Sequence, residues 1–409
     1  MVTAAQQRQS PGAAAKPTRG TLDASVRALG AEFKGRAAAT ETTATVPVES
    51  VEALRELGFF KLVQPQAYGG YEADFEHLAD LTIEIGRSCA STAWVCGLLA
   101  AHQWLVAGFP AEAQYDVWDQ NPDALICGSY APATRALAVP GGYQLTGRWS
   151  FASGCDNSNW ALCAALLPPT GDGDALIPAF LLVPAKDYRI DDTWHVIGLA
   201  GTGSKTLVLD GVFVPKHRVL TFEQTTSGQT PGSQLYAGNP SFSIPMLCNI
   251  PSCLAATAVG AALGALDDYV AATSQRTTRG AVAGAHNKMA EFATVQLRVA
   301  DAVASTDAAR EILLRDLRLN AQTVRSGQPV TIEDRITSRR GQAFAVSLAI
   351  RATEALNAST GGHGLALSNP VQRAWRDANA VGRHISMNWD AVGTMYGQLK
   401  LGLEPVGQY

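Results

Sequence analysis

The chain predicts an α+β fold, mainly α, with an N-terminal helical domain, a central antiparallel β domain and a C-terminal four-helix bundle. Three observations carry this prediction. Apolar residues recur at helical spacing up to about Asn121; short β segments punctuated by turn residues follow to about Leu220; long Ala-rich helical stretches fill most of the chain beyond Met246. The boundaries that follow are a loose tail at 1–20, the three domains at 21–122, 123–232 and 233–395, and a C-terminal tail at 396–409.

In the first domain Val51, Leu54 and Leu57 mark one face of a helix that Gly58 ends, with Phe59-Phe60 as apolar anchors. Pro65 and Gly69-Gly70 form a loop, and helices follow over Leu78–Gly86 and Ser91–Ala107. The β segments are Leu125–Ser129, Tyr143–Trp149, Trp160–Leu166, Ala179–Val183 and Lys205–Leu209. Their turns are Gly141-Gly142, Gly171-Asp172-Gly173 and Asp210-Gly211. Residues 221–245, rich in Thr, Ser, Gln, Gly and Pro, read as a linker loop. The bundle helices are expected at Pro251–Gln275, Ala285–Gly327, Thr331–Ser359 and Pro370–Ser386. The apolar run Ile250–Leu266 is full of Ala, Gly, Ser and Thr, which suits a helix packed closely against neighbours better than a membrane span.

With 47% hydrophobic and 17% charged residues the chain has material for a large core. A net charge of −4 gives no electrostatic ground for nucleic acid or an anionic membrane, so a small molecule is the expected partner. The seven cysteines are odd in number and form no CxxC. They read as reduced core thiols of a cytoplasmic protein, without a metal site.

One run near the C-terminus organises the functional reading: Ser359-Thr360-Gly361-Gly362-His363-Gly364, Asn369-Pro370, Arg373, Arg376-Asp377, then His384 and Asn388-Trp389-Asp390. The glycines allow close backbone approach, Asn-Pro turns the chain, and a helix from Pro370 is expected to carry His384 and Trp389-Asp390 near its end. A histidine and a carboxylate beside an aromatic suit proton handling next to a planar ligand. The competing reading is a helix cap, a turn and a surface Arg-Asp pair. Two further stretches matter. Trp149–Asp156 offers Ser153 just after the aromatics Trp149 and Phe151, and Thr202-Gly203-Ser204 offers hydroxyls and an open backbone amide, against a plain turn in each case. The glycines at 198, 201 and 203 are no dinucleotide fingerprint, because the run enters an expected strand rather than a helix.

The order of helices, β domain and bundle resembles the acyl-CoA dehydrogenase fold over nearly everything after residue 20. Arg276-Thr277-Thr278-Arg279-Gly280 stands where that superfamily reaches the flavin pyrophosphate, and Gly361-Gly362-His363-Gly364 at its glycine-rich cofactor contact. Where many of those dehydrogenases carry a glutamate base, this chain reads Arg383-His384-Ile385-Ser386. Ser91–Trp94, His102, Trp149–Asp156, Trp194 with Gly198–Ser204, and His384 with Asn388–Asp390 together resemble the two-component flavin-dependent monooxygenases, typified by 4-hydroxyphenylacetate and secosteroid 3-hydroxylases. The resemblance implies an oxygenase component that takes reduced FMN or FAD from a separate flavin reductase, reacts it with O2 to a flavin C4a-hydroperoxide, and hydroxylates a small phenolic substrate. It implies a homotetramer as well. On that reading His384, His102 and Ser129 are catalytic; Trp94, Trp149, Ser153, Thr202, Ser204, Arg276, Gly361 and Gly362 hold the cofactor. An acyl-CoA dehydrogenase-like oxidoreductase, oxidation at nitrogen or sulfur, and a catalytically silent scaffold are the rivals.

Overall fold

The computed structural model describes residues 16–169, 175–277 and 288–409. The turn expected at Gly171-Asp172-Gly173, Arg279 and most of the expected N-terminal tail lie outside the described residues. The chain opens with six helices: α1 (Arg19–Ala28), α2 (Gly30–Thr43), α3 (Val48–Glu56), α4 (Phe75–Gly86), α5 (Ala90–Val106) and α6 (Ala111–Trp118). Gly58 ends the α3 segment in the left-handed conformation, as its position after Leu57 predicts. Helix α5 is apolar almost all round and nearly every residue of it is buried. A helix of that kind belongs inside a protein, and it carries Trp94 and His102.

The β domain is two four-stranded sheets. One runs in the order β1 (Ile126–Ser129), β4 (Trp160–Leu167), β5 (Ile177–Pro184), β8 (Val219–Thr221); the other runs β2 (Leu137–Val139), β3 (Gly142–Ala152), β7 (Lys205–Pro215), β6 (Arg189–Asp191). The expectation of an antiparallel domain holds for every pair except β1 and β4, which are parallel. After β1 the chain crosses to the second sheet for β2 and β3 before returning, and such a crossover lets two strands run the same way.

Residues 221–245 are not the linker loop their composition suggests. They fold as α7 (Phe222–Ser227), α8 (Pro231–Leu235) and a 3-10 turn over Pro240–Ser243, leading into α9 (Met246–Asn249). Thr221 with Gln224 and Thr230 with Ser233 form capping boxes, and Asn239 caps the turn. The polar residues that read as loop are the caps.

The C-terminal bundle comprises α10 (Pro251–Gln275), α11 (Ala293–Arg325), α12 (Ile332–Ala358), α13 (Pro370–Gly382) and α14 (Trp389–Lys400). The apolar α10 is the central rod, packed on α4, α5, α11, α12 and α13. A Cβ on Gly260 would fall 2.4 Å from the Ile83 carbonyl oxygen, and one on Gly264 would fall 2.2 Å from that of Arg87, so α10 and α4 touch backbone to backbone. The end of the bundle departs from expectation. Helix α13 stops at Gly382, and His384 accepts the Ser386 N–H to cap a 3-10 turn over Ile385–Met387. Asn388 then caps α14, which runs to Lys400, into the start of what the sequence suggests is a tail. His384 and Trp389-Asp390 are therefore on different elements.

Candidate active site

Four of the predicted cofactor residues come together as one buried hydrogen-bonded chain. The Trp94 indole N–H, from α5, donates to Ser153 Oγ at 2.9 Å. Ser153, just past β3, lies 2.7 Å from Ser204 Oγ, and Ser204 lies 2.7 Å from Thr202 Oγ1. Thr202 Oγ1 donates to the Leu199 carbonyl at 2.8 Å. All four side chains are buried. Their hydroxyls are thus committed to one another, and Thr202 and Ser204 do not present them to a phosphate, as their setting in a Gly-flanked turn suggested. Leu199 has positive φ, an unusual conformation for a leucine, and its N–H donates to Asp377 Oδ1 at 2.6 Å. Asp377 lies in α13 and is buried, which rules out the surface Arg-Asp pair. Burial pushes its carboxyl up to about 6, against the pull of the Leu199 N–H and Arg376. The neighbouring Arg376 donates to Ile197 O at 2.5 Å, and a Cβ on Gly198 would meet Arg376 O at 2.4 Å. Helix α13 therefore clamps the 197–204 segment in place.

The His384 ring stands edge-on to Trp94, centroids 5.8 Å apart. Because Nδ1 accepts the Ser386 N–H at 3.1 Å, the neutral ring carries its proton on Nε2. Burial, aided by the cationic Arg339, pushes its pKa down to about 4. Arg339 is buried with Nη2 on Ser386 O and Nη1 on Gln342.

His102, two turns further along α5, has the opposite tautomer. Its Nδ1 lies 2.5 Å from the Ile126 carbonyl, an obligate acceptor, so Nε2 bears the lone pair. That nitrogen is buried without a partner, and burial pushes the His102 pKa down to about 4. The Tyr130 ring stands 5.8 Å away, its hydroxyl likewise buried and unpartnered. A Cβ on Gly128 would sit 3.0 Å from the Tyr130 ring and 3.3 Å from the His102 ring, so the glycine keeps this corner open. Ser129 next to it donates to Ser150 O at 2.7 Å, leaving its oxygen as an acceptor only. Tyr130 is absent from the sequence-derived candidates; its place directly after Ser129 is the signal that was there to be read.

The remaining predicted residues fall elsewhere. Arg276, at the end of α10, donates to Thr360 O at 2.5 Å and lies against Gly361, whose φ is positive. A Cβ there would come 2.9 Å from Arg276 Nη2, so only glycine lets the guanidinium rest on this backbone. Gly362 is exposed beside it. The cradle and its half-exposed cation fit an anionic cofactor group. Trp149 does not line this region. It is fully buried within the sandwich with its N–H on Ala164 O at 2.7 Å, because its position in β3 faces inward. The exposed ring of the same loop is Phe151, edge-on to Trp194 at 6.0 Å. Asp390 is exposed in the first turn of α14.

Helices around a β sandwich followed by a helical bundle define the acyl-CoA dehydrogenase fold, and comparison with known proteins agrees. The acyl-CoA dehydrogenase N-terminal domain family matches residues 18–118, and the acyl-CoA dehydrogenase C-terminal domain family matches residues 252–389. The chain is 62% identical over 381 residues to the FADH(2)-dependent resorcinol hydroxylase, oxygenase component, of Rhizobium sp. (strain MTP-10005), covering 92% of this chain and 93% of that one. It is similar to the crystal structure of 3-HSA hydroxylase from Rhodococcus sp. RHA1, with a TM-score of 0.89 and 35% identity over 95% of this chain and 98% of that one. XiaF from Streptomyces sp., in complex with FADH2 and glycerol, matches with a TM-score of 0.86 and 28% identity, covering 96% and 98% of the two chains. The chain belongs to the acyl-CoA dehydrogenase-fold flavoproteins. Within them it is an enzyme of the two-component flavin-dependent monooxygenases, an oxygenase component of the aromatic hydroxylase kind.

Proposed function

We propose that this enzyme hydroxylates a small phenol of the resorcinol type, using reduced FAD delivered by a separate reductase. The observation that carries the reading is His102: a neutral imidazole, its Nδ1 tied to Ile126, with a bare and buried Nε2 lone pair and the Tyr130 ring beside it. The choice of resorcinol and FAD rests on the 62% identical relative. Reduced flavin supplies the two electrons needed to split dioxygen and put one of its atoms on the ring. Everything else falls to this chain. His102 Nε2 accepts the phenolic proton, which raises electron density on the ring carbon to be attacked. Ser129 accepts a hydrogen bond from a substrate hydroxyl. His384, its proton on Nε2 and its ring edge-on to Trp94, would donate a hydrogen bond in the site, and Arg276 with Gly361 and Gly362 would hold the cofactor phosphates. Ser153 would hold the N5 edge of the ring system. The buried walls of α5 and β1 keep water out, so that oxygen reaches the substrate instead of leaving as peroxide.

An assembly of four copies in the cytoplasm completes the proposal. Leu365, Leu367, Ile385, Leu401 and Val406 form an exposed apolar set at the C-terminal end, which supports association, and seven free buried cysteines support a reducing compartment. The test is to supply reduced FAD, O2 and resorcinol and to quantify ring hydroxylation against hydrogen peroxide. Stoichiometric peroxide with no hydroxylated product, across a series of phenols, would refute the assignment.

A further inference from the structure

The hydroxyl chain between α5 and the 199–204 segment has a direction that its ends impose. At one end the Trp94 indole nitrogen can only donate; at the other the Leu199 carbonyl can only accept. Three hydroxyl protons, those of Ser153, Ser204 and Thr202, serve three links: Ser153 to Ser204, Ser204 to Thr202, and Thr202 to Leu199. Thr202 must spend its proton on the carbonyl 2.8 Å away. Ser204 must then spend its own on Thr202, and Ser153 its own on Ser204. Any other arrangement leaves one of these three oxygen pairs, 2.7 or 2.8 Å apart, with no proton between its atoms. The Leu199 oxygen also receives the Thr202 N–H and the Trp194 indole N–H, so it is held firmly as the sink.

The count leaves Ser153 Oγ with no proton to give and one lone pair to offer. A reduced isoalloxazine carries N–H at N5; the oxidised ring carries a bare lone pair there. We infer that Thr202 and Ser204 are positioning residues that fix Ser153 as a hydrogen-bond acceptor, so that the site selects reduced over oxidised flavin through the direction of this chain. The inference rests on the reading that Ser153 meets the flavin N5 edge. It assigns to Thr202 and Ser204 a task at one remove from the cofactor, in place of the direct contact their sequence suggests. Against oxidised flavin, Ser153 opposes lone pair to lone pair. Turning it into a donor requires reversing Ser204 and Thr202 as well, which leaves Thr202 Oγ1 and Leu199 O in buried contact at 2.8 Å with no proton between them.

The test is anaerobic titration of the purified protein with reduced flavin and aerobic titration with oxidised flavin, giving a ratio of dissociation constants for each variant. Thr202→Val removes the hydroxyl that anchors the direction while keeping the shape. Ser204→Ala cuts the chain one link earlier and frees the Ser153 proton. Both are expected to bind oxidised flavin more tightly relative to reduced, lowering the ratio about 5- to 10-fold, the scale of one hydrogen bond. Thr202→Ser restores the anchor and should return the ratio to within about twofold of wild type, an outcome that a purely structural role for the methyl group would not give. If Thr202→Val fails to fold, Ser204→Ala reads the same quantity. Unchanged ratios in Thr202→Val and Ser204→Ala, alongside a changed affinity in Ser153→Ala, would overturn the inference and leave the Ser153 contact standing. Should Ser153→Ala bind both redox forms as wild type does, the contact itself fails and the inference goes with it.

Discussion

His102 and His384 are both held neutral by burial, yet with protons on opposite nitrogens, one set by a carbonyl and the other by an amide. His384→Ala is therefore expected to keep flavin binding but release peroxide without hydroxylated product, and peroxide yield per turnover measures it. His102→Ala is expected to slow phenol hydroxylation by 10²- to 10⁴-fold, the usual scale for removing a base, with flavin affinity unchanged; single-turnover product formation is the check. The buried groups also shape stability against pH. His102 titrates near 4 when folded and near ~6.5 when unfolded, so stability present above ~6.5 is lost as pH falls towards 4, by about 3 kcal/mol at full protonation. Asp377 works the other way. Its folded value of about 6 lies above the unfolded ~3.9, so stability is greatest below ~4 and declines as pH rises through 6. Asp377 thus offsets about one histidine, while His384, its pKa likewise lowered to about 4, leaves the wild type a net loss of stability on acidification. Asp377→Asn keeps an oxygen for the Leu199 N–H and should steepen the loss of stability on acidification, seen as urea midpoints between pH 4 and 7. The sequence displayed Ser153, Thr202, Ser204, Trp94 and both histidines as candidates, since each residue type announces its chemistry. It hid their partners, because Leu199, Ile126 and Ser386 contribute only backbone atoms, and backbone direction is invisible in side-chain identity.

Among the elements, the contact of α4 with α10 is the least forgiving. Gly260→Ala is expected to destabilise the protein by about 1–3 kcal/mol, the cost of forcing volume into a close-packed place, although alanine is the better helix former. A lowered urea midpoint at an unchanged slope would show it. The apolar run Ile250–Leu266, rich in small residues, announced this helix and its close packing. The break after Gly382 was not announced. His384 and Asn388 each end one element's pattern by accepting a backbone N–H, and a capping histidine has no composition signature. The same blindness turned the capped helices of 221–245 into an expected loop, since Ser and Thr mark caps and coils alike.

At the scale of the molecule, the ordering of helices, sandwich and bundle was legible because hydrophobic period changes from helical to strand-like and back along the chain. The parallel pairing of β1 with β4 was not, since pairing partners far apart in sequence leave no local trace. The exposed Leu365, Leu367, Ile385 and Leu401 belong to this scale too. If four copies associate as proposed, Leu365→Glu with Leu401→Glu is expected to lower the mass seen by sedimentation velocity, and an unchanged mass would count against these residues as the contact. Trp94 and His102 stand eight residues apart on one buried helix, a separation of ~12 Å along its axis. That helix works like the beam of a caliper whose jaws cannot slide. Relatives that accept bulkier rings would have to make room by recutting the opposing wall at Gly128 and Tyr130, leaving the gauge between indole and imidazole as it is.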